Sequence, residues 1–352
     1  MWVPPLRGNQ AELAGFRRHP FYDNAEAQAF LAYNGSEPCG RILAIHNHAH
    51  NEKYPDDQRG FIGFFESIDE QAVADGLFHA AQEWFAKRDL HELRGPVNPS
   101  LNHECGLLVQ NFEMPPSFMM TYNPSYYPAL WDNFGFQKVD DLYSFIGYKS
   151  DIERMEKKVQ FVADEAAKRM KVIVRPVNMR NFRKDLETFL HIYNQSLEGV
   201  WGHVPMSDAE VTHTAKSLRF LIEPQVTLIA EIEGKPVGSM IGLLDYNPRI
   251  KEINGRLFPF GFLKLLRKRK ELKRVRMIST NVLPEYQRWG IGVILAARML
   301  EPAIEFGMEY GEFSWVLESN HLSRRTLEKA NLDVEKVHRL YDWPAKAVDN
   351  PA

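Results

Sequence analysis

Apolar and polar positions along the chain follow one order twice. Residues 30–47 (FLAYNGSEPCGRILAIHN) and 228–247 (LIAEIEGKPVGSMIGLLDYN) each read as an apolar strand, a turn containing Gly and Pro, and a second strand that opens on Gly and ends in Asn. That pattern predicts a β-hairpin. Strand-like runs follow at 60–65 and 276–282, each ahead of a helical stretch, and again at 93–98 and 313–320. Both series close with a helix leading into a strand, at 126–139 (YYPALWDNFGFQKV) and 321–337 (HLSRRTLEKANLDVEKV). The recurrence predicts an internal duplication of one α/β unit.

Residues 150–170 lie between the two series and read as a polar helix, with Asp151 and Glu153 as its acidic start. This divides the chain into a first copy at 1–149, a linker helix at 150–170 and a second copy at 171–352. The second copy opens with a strand at 171–176 and a helix from about Met179, then a loop at 196–210. Composition adds bounds. The chain has 352 residues, enough for two domains, and 44% hydrophobic content with 25% charge is ordinary for a soluble protein. A net charge of -3 gives no global basicity that would argue for nucleic acid. Cys39 and Cys105 have no metal-type spacing and read as reduced thiols. The first residues lack a signal-peptide core and no run of apolar residues is long enough to span a bilayer. The expected location is the cytoplasm, with peripheral contact on the inner face of the membrane left open.

The chemistry is concentrated at 277–306 (MISTNVLPEYQRWGIGVILAARMLEPAIEF). A strand ends before Pro284, a turn runs through Gln287, Arg288, Trp289, Gly290, Ile291 and Gly292, and an apolar-faced helix follows. Glycines at a helix N-terminus let backbone N–H groups approach an anion, and Arg288 adds a positive charge. These residues form a cradle suited to a diphosphate. Pro302 is expected to kink or end the helix.

Gln-x-x-Gly-x-Gly between a strand and a helix resembles the pyrophosphate loop of the GNAT superfamily of acyl-CoA N-acyltransferases. The resemblance implies a tandem GNAT fold of the α/β (α+β) class, with two mixed β-sheets flanked by helices. It also implies acyl-CoA as co-substrate, either acetyl-CoA or a long-chain acyl-CoA, and no metal. The cofactor contacts it implies are Val282, Leu283 and Gln287 through Gly292, with Asn320 and Ser323 matching the family's Asn-x-x-Ala/Ser element. The stretches 134–145 (FGFQKVDDLYSF), 265–276 (LLRKRKELKRVR), 314–320 (SWVLESN) and 339–343 (RLYDW) look more narrowly like the tandem bacterial proteins that include the bacterial ceramide synthases. Such enzymes join a long acyl chain to the amine of a sphingoid base.

In the first copy the place of the phosphate loop reads Glu66-Ser67-Ile68-Asp69, where carboxylates would oppose a diphosphate. This copy is expected to keep the fold and to have lost cofactor binding. Asn98, Asn102, His103, Asn123 and Tyr126 in its loops read mainly as turn chemistry. Acyl transfer to an amine needs a proton acceptor and oxyanion donors. Glu318 is the first choice of base and Asp245 the second. The family's tyrosine acid is replaced by Leu327, and Tyr341 is the substitute considered. Trp201, His203, Glu210 and Asn247 are the candidate acceptor contacts.

Residues 255–276 (GRLFPFGFLKLLRKRKELKRVR) carry nine Lys or Arg and one acidic residue, with Phe258, Phe260 and Phe262 ahead of the densest charge. This fits a helix lying on anionic lipid, an acidic acyl carrier protein, or a polyanion. The preferred reading is an N-acyltransferase using long-chain acyl thioesters. The alternatives are an acetyltransferase of a small amine or a protein, and a catalytically lost pair that binds nucleic acid, the least favoured partner.

Overall fold

The computed structural model describes residues 1–344. The side chains of 151–159 lie outside the described residues, and with them the acidic start read at Asp151 and Glu153. Packing groups the chain into two compact units. One comprises Met1–Tyr143, Leu317–Arg324 and the chain from Lys336 on; the other comprises Ser144–Val316 and Arg325–Glu335. The division into 1–149, 150–170 and 171–352 is one by repeat. The compact units instead exchange short pieces from the chain's end.

The first unit begins with helix α1 (Arg7–Leu13), hairpin β1 (Ala25–Asn34) and β2 (Glu37–Asn47), and helix α2 (His48–Lys53). Strand β3 (Gly60–Ser67), helix α3 (Gln71–Ala86) and strand β4 (Leu93–Gly95) follow, then the short strands β5 (Val97–Asn98), β6 (Glu104–Cys105) and β7 (Leu107–Gln110). Helix α4 (Tyr127–Phe134) leads into β8 (Gln137–Tyr148), within which the first unit ends. Helix α3 buries Ala74, Leu77, Phe78, Ala81 and Phe85, the three-and-four spacing of one helix face. That face packs with Ile62, Trp131, Phe136 and Tyr341 into one core. Gly135, in the left-handed conformation, ends α4.

The second unit holds α5 (Lys149–Met170), β9 (Val172–Pro176), α6 (Phe182–Ser196), α7 (Asp208–Leu218) and the hairpin β10 (Ile222–Ile232) and β11 (Lys235–Leu244). Helices α8 (Asn247–Glu252) and α9 (Gly261–Leu266) precede β12 (Arg274–Val282), α10 (Ile291–Phe306) and β13 (Tyr310–Leu317). The chain closes with α11 (His321–Lys329) and β14 (Asp333–Trp343). Strands β13-β12-β11-β10-β9 are neighbours in that order, and α10 packs across β10, β11 and β12. In the first unit the order is β1-β2-β3-β4-β14, with Asp342 of β14 opposite Arg94. Helix α10 runs past Pro302 to Phe306 and ends at left-handed Gly307, so Pro302 does not end the helix. Among the described residues, no helix is long and apolar enough to cross a membrane.

The duplication is visible in backbone detail. Both hairpins have a two-residue turn, closed by Asn34 opposite Glu37 and by Ile232 opposite Lys235. Both slip register at the same place, after Ala32 and after Ala230. In both, the strand after the hairpin pairs in parallel with a later strand for only a few residues. Those residues are Gly60 and Phe61 with Leu93 and Arg94, and Arg274–Met277 with Tyr310–Phe313.

Candidate functional site

Beyond Met277 and Phe313 the strands β12 and β13 continue without pairing to each other. The cause is local. The pairing of β11 with β12 shifts between Ile241 and Gly242, which face Ser279 and Met277, so Ile278 is an extra residue on β12. Such a bulge bends and twists its strand. It falls where the ladder with β13 stops, and it turns the rest of β12 aside to open a wedge between two parallel strands.

The wedge leads to the glycine turn. Pro284–Trp289 forms a tight 3-10 turn, and Gly290 at φ 75° is the N-cap of α10. The left-handed conformation suits glycine, and a Cβ placed on Gly290 would meet nothing within 4 Å, so the space ahead of the helix is open. Val293 and Ile294 both donate to the Gly290 carbonyl at 3.0 and 3.1 Å, which fixes the start of the helix. The first N–H groups of a helix have no intrahelical partner and carry the positive end of its dipole. Gln287 donates to the Val282 carbonyl at 3.4 Å, tying the turn to the strand end. Leu283 is buried and donates to the Val237 carbonyl at 3.0 Å, while Arg288 and Trp289 are exposed. Gly238 lets the helix sit close on β11, since a Cβ there would come within 2.8 Å of Ile291. Open space, helix start and surface arginine fit a diphosphate. Inside the second unit, Arg276 is buried and donates to the Ser314 hydroxyl at 2.8 Å and to its carbonyl at 3.1 Å. The sequence reading missed this arginine, because a basic residue within a basic run carries no signal of burial.

In the first unit the corresponding opening is filled by the chain itself. The Phe64 N–H donates to the Asn98 side chain at 2.7 Å, and a Cβ on Gly63 would lie 1.6 Å from the Val97 carbonyl oxygen. The Ser67 N–H donates to the Tyr127 hydroxyl at 3.0 Å, and that hydroxyl donates to Glu66 at 2.7 Å. Asn123 pairs with the Leu108 backbone in both directions, at 2.7 and 3.1 Å, a clamp between residues 15 apart in the chain and not the local turn bond expected of it. Glu26, His46 and His48 come close enough to share an ion, but Arg88 occupies both Glu26 oxygens, at 2.8 and 3.1 Å.

Several predicted site residues have other work. Glu210 accepts from the Ser207 backbone and hydroxyl, both at 2.9 Å, in a capping box that starts α7, so its carboxylate is engaged as a helix cap. Ser-x-x-Glu at 207–210 was the readable signal. Asp245 accepts from the Asn247 N–H at 3.1 Å and lies 3.9 Å from Arg274, while its own N–H bonds to the Arg274 carbonyl. Arg274 stands opposite Tyr310, where the β12–β13 ladder is closed, so Asp245 and Asn247 are set beside the paired end and not on the wedge. His203 is buried edge-on to Tyr193 in the loop after α6, and Trp201 is half-buried in the same loop.

Glu318, Asn320, Ser323 and Tyr341 belong to the first unit. Asn320 accepts from the Ser323 N–H at 3.1 Å and so caps the start of α11. Tyr341 is 1% exposed and packs on Trp131 with ring centres 5.5 Å apart, in the core of the first unit, and burial raises its pKa. Glu318 pairs with Lys138 at 2.6 Å and accepts from the Tyr143 hydroxyl at 3.0 Å. The Lys138 hydrogen bond holds the Glu318 carboxyl below its ordinary range, which weakens it as a base. Asp140, which accepts from Ser319 at 2.6 Å, is the opposite case: burial pushes its carboxyl up. Of these two carboxylates the sequence singled out Glu318 and passed over Asp140.

Residues 186–331 match the model of the acetyltransferase (GNAT) family. The chain is 30% identical over 347 residues to Protein YghO of Escherichia coli, covering 97% of this chain and 88% of that protein. It is 30% identical over 353 residues to the bacterial ceramide synthase of Caulobacter vibrioides, covering 97% and 90%. The chain belongs to the GNAT family. The fold agrees: a tandem GNAT protein from the clavulanic acid biosynthesis pathway superposes with a TM-score of 0.53 at 9% identity, over 97% of this chain and 88% of that one. As a GNAT protein it is an N-acyltransferase, and the fold implies an acyl-CoA co-substrate.

Proposed function

We propose that the protein transfers a long acyl chain from acyl-CoA to the amine of a sphingoid base. The observation that carries the acyl-CoA part is the wedge between β12 and β13, opened by the Ile278 bulge and leading to the Gly290–Gly292 helix start. In this reading the helix N–H groups and Arg288 hold the diphosphate. Backbone N–H groups of β12 near Val282 steady the charge that develops on the thioester oxygen. The neutral amine attacks the thioester carbon, an amide bond forms, the carbon–sulfur bond breaks and the thiol leaves as the amine gives up its proton. A thiol with a pKa near 8.5 is a fair leaving group without a dedicated acid. The lipid acceptor is supported by the full-length relationship to the Caulobacter vibrioides ceramide synthase.

The test is thiol release by the purified protein, with the acylated product identified by mass spectrometry. Palmitoyl-CoA with a sphingoid base should give fast release and an amide product. Acetyl-CoA with a polyamine should give little. Release with acetyl-CoA and small amines alone would overturn the lipid reading in favour of a short-chain acetyltransferase. Turnover only with an acyl carrier protein thioester would replace the donor.

A further inference from the structure

Residues 257–270 place large apolar side chains where water would meet them. Phe258 is 80% exposed, Phe260 73% and Leu263 56%, and Phe262 joins them with its ring 6.2 Å from that of Phe258. Four such groups within six residues form a patch that a soluble surface ordinarily avoids. The loop that carries them is fixed. A Cβ on Gly261 would lie 2.0 Å from the Arg256 carbonyl oxygen, so only glycine lets the chain fold back there. The Phe262 N–H bonds to Leu257 at 2.9 Å, and Leu265 is buried beneath as an anchor. Phe220, 64% exposed, is held to the segment through its carbonyl, which accepts from Arg269.

The same segment exposes Arg256, Lys264, Arg267, Lys268 and Lys270. Lys268 is paired with Glu271 at 2.6 Å. A polyanion alone would be served by the charges and leaves the exposed rings without purpose. Rings that enter the acyl boundary while cations stay among headgroups serve both. We infer that this segment docks the protein on an anionic lipid bilayer, with Phe258, Phe260, Phe262 and Leu263 inserted and the basic side chains in the headgroup layer.

The experiment is co-sedimentation of the full chain with vesicles of phosphatidylcholine, with and without phosphatidylglycerol, in the absence of any acyl substrate. Binding should require phosphatidylglycerol and fall about fivefold for each basic side chain replaced by Gln among Lys264, Arg267 and Lys270. The double variant Phe258→Ser, Phe260→Ser should lower partitioning at least about tenfold. Both rings are exposed, so folding is not at stake, and an unchanged melting temperature checks this. A Phe260→Trp variant reports insertion directly, through quenching by lipids brominated on the acyl chain. Binding that salt abolishes but the loss of both rings leaves unchanged would overturn the inference and point to an acidic protein or nucleic acid. Absence of vesicle binding, or a Trp at 260 that brominated lipid does not quench, would overturn it too.

Discussion

The Gly292→Asp substitution separates the cradle's chemistry from its architecture. A Cβ on Gly292 would meet the Thr280 methyl at 3.7 Å, an ordinary contact, so a side chain fits. Gly292 stands in the first turn of α10, where a carboxylate interacts favourably with the dipole by roughly 0.5 kcal/mol. Stability should therefore hold or rise slightly. Acyl-CoA binding should suffer. Like charges about 5 Å apart near a protein surface repel by on the order of 3 kcal/mol, a weakening of about a hundredfold in Kd. The neutral control Gly292→Ala adds the methyl without the charge and should stay within about threefold of the parent. Calorimetric titration with CoA gives the Kd values, and a thermal melt gives the stability. Gly290 is the less clean position, because φ 75° strains any side chain placed there. If the aspartate variant bound CoA as the parent does while melting normally, the diphosphate would not sit at the start of α10, and the proposed donor site would fall.

Three further outcomes follow from the first unit. Asp342 holds Arg94 through bonds of 2.7 and 2.8 Å and Arg59 through one of 2.8 Å, and both guanidinium groups are buried. Asp342→Ala should cost about 3–5 kcal/mol, read by denaturant unfolding, and a loss under 1 kcal/mol would show that Asp57 and Glu92, which also pair with these arginines, balance their charge without it. Burial, with Arg94 nearby, lowers the His50 pKa to about 4 from an ordinary value of 6.5. The unfolded chain then binds the extra proton first. Stability is full above about pH 6.5 and declines as pH falls toward 4, by about 3 kcal/mol in all. His50→Gln should flatten that part of the pH–stability curve, and an unaltered slope would refute the assignment. Tyr341→Phe should leave thiol release within about twofold and stability unchanged or slightly raised, because the buried hydroxyl makes no hydrogen bond among the described residues. A tenfold loss of rate would return Tyr341 to the chemistry.

The order of strands and helices was legible in the chain because apolar periodicity is a local property. Two hairpins with matching turns and the strand–glycine–helix stretch at 277–306 were enough to suggest both the fold and an acyl-CoA donor. The capping box at 207–210 was equally local, yet the family resemblance, which places this loop over the acceptor, made Glu210 a candidate contact. Tertiary structure alone decided the rest. The wedge depends on one unpaired residue, Ile278, and a bulge is defined by the partner strand, which the sequence of β12 does not contain. Tyr341 and Asp245 looked like reactive groups. The core around Trp131 buries the first, and the closed end of the ladder at Arg274 engages the second. Asp140 looked like one acidic residue among several, and only its burial raised its affinity for a proton. Local sequence fixes which elements form, whereas burial, pairing and charge environment are set by residues distant in the chain, and these decide which polar groups do chemistry and which hold the fold.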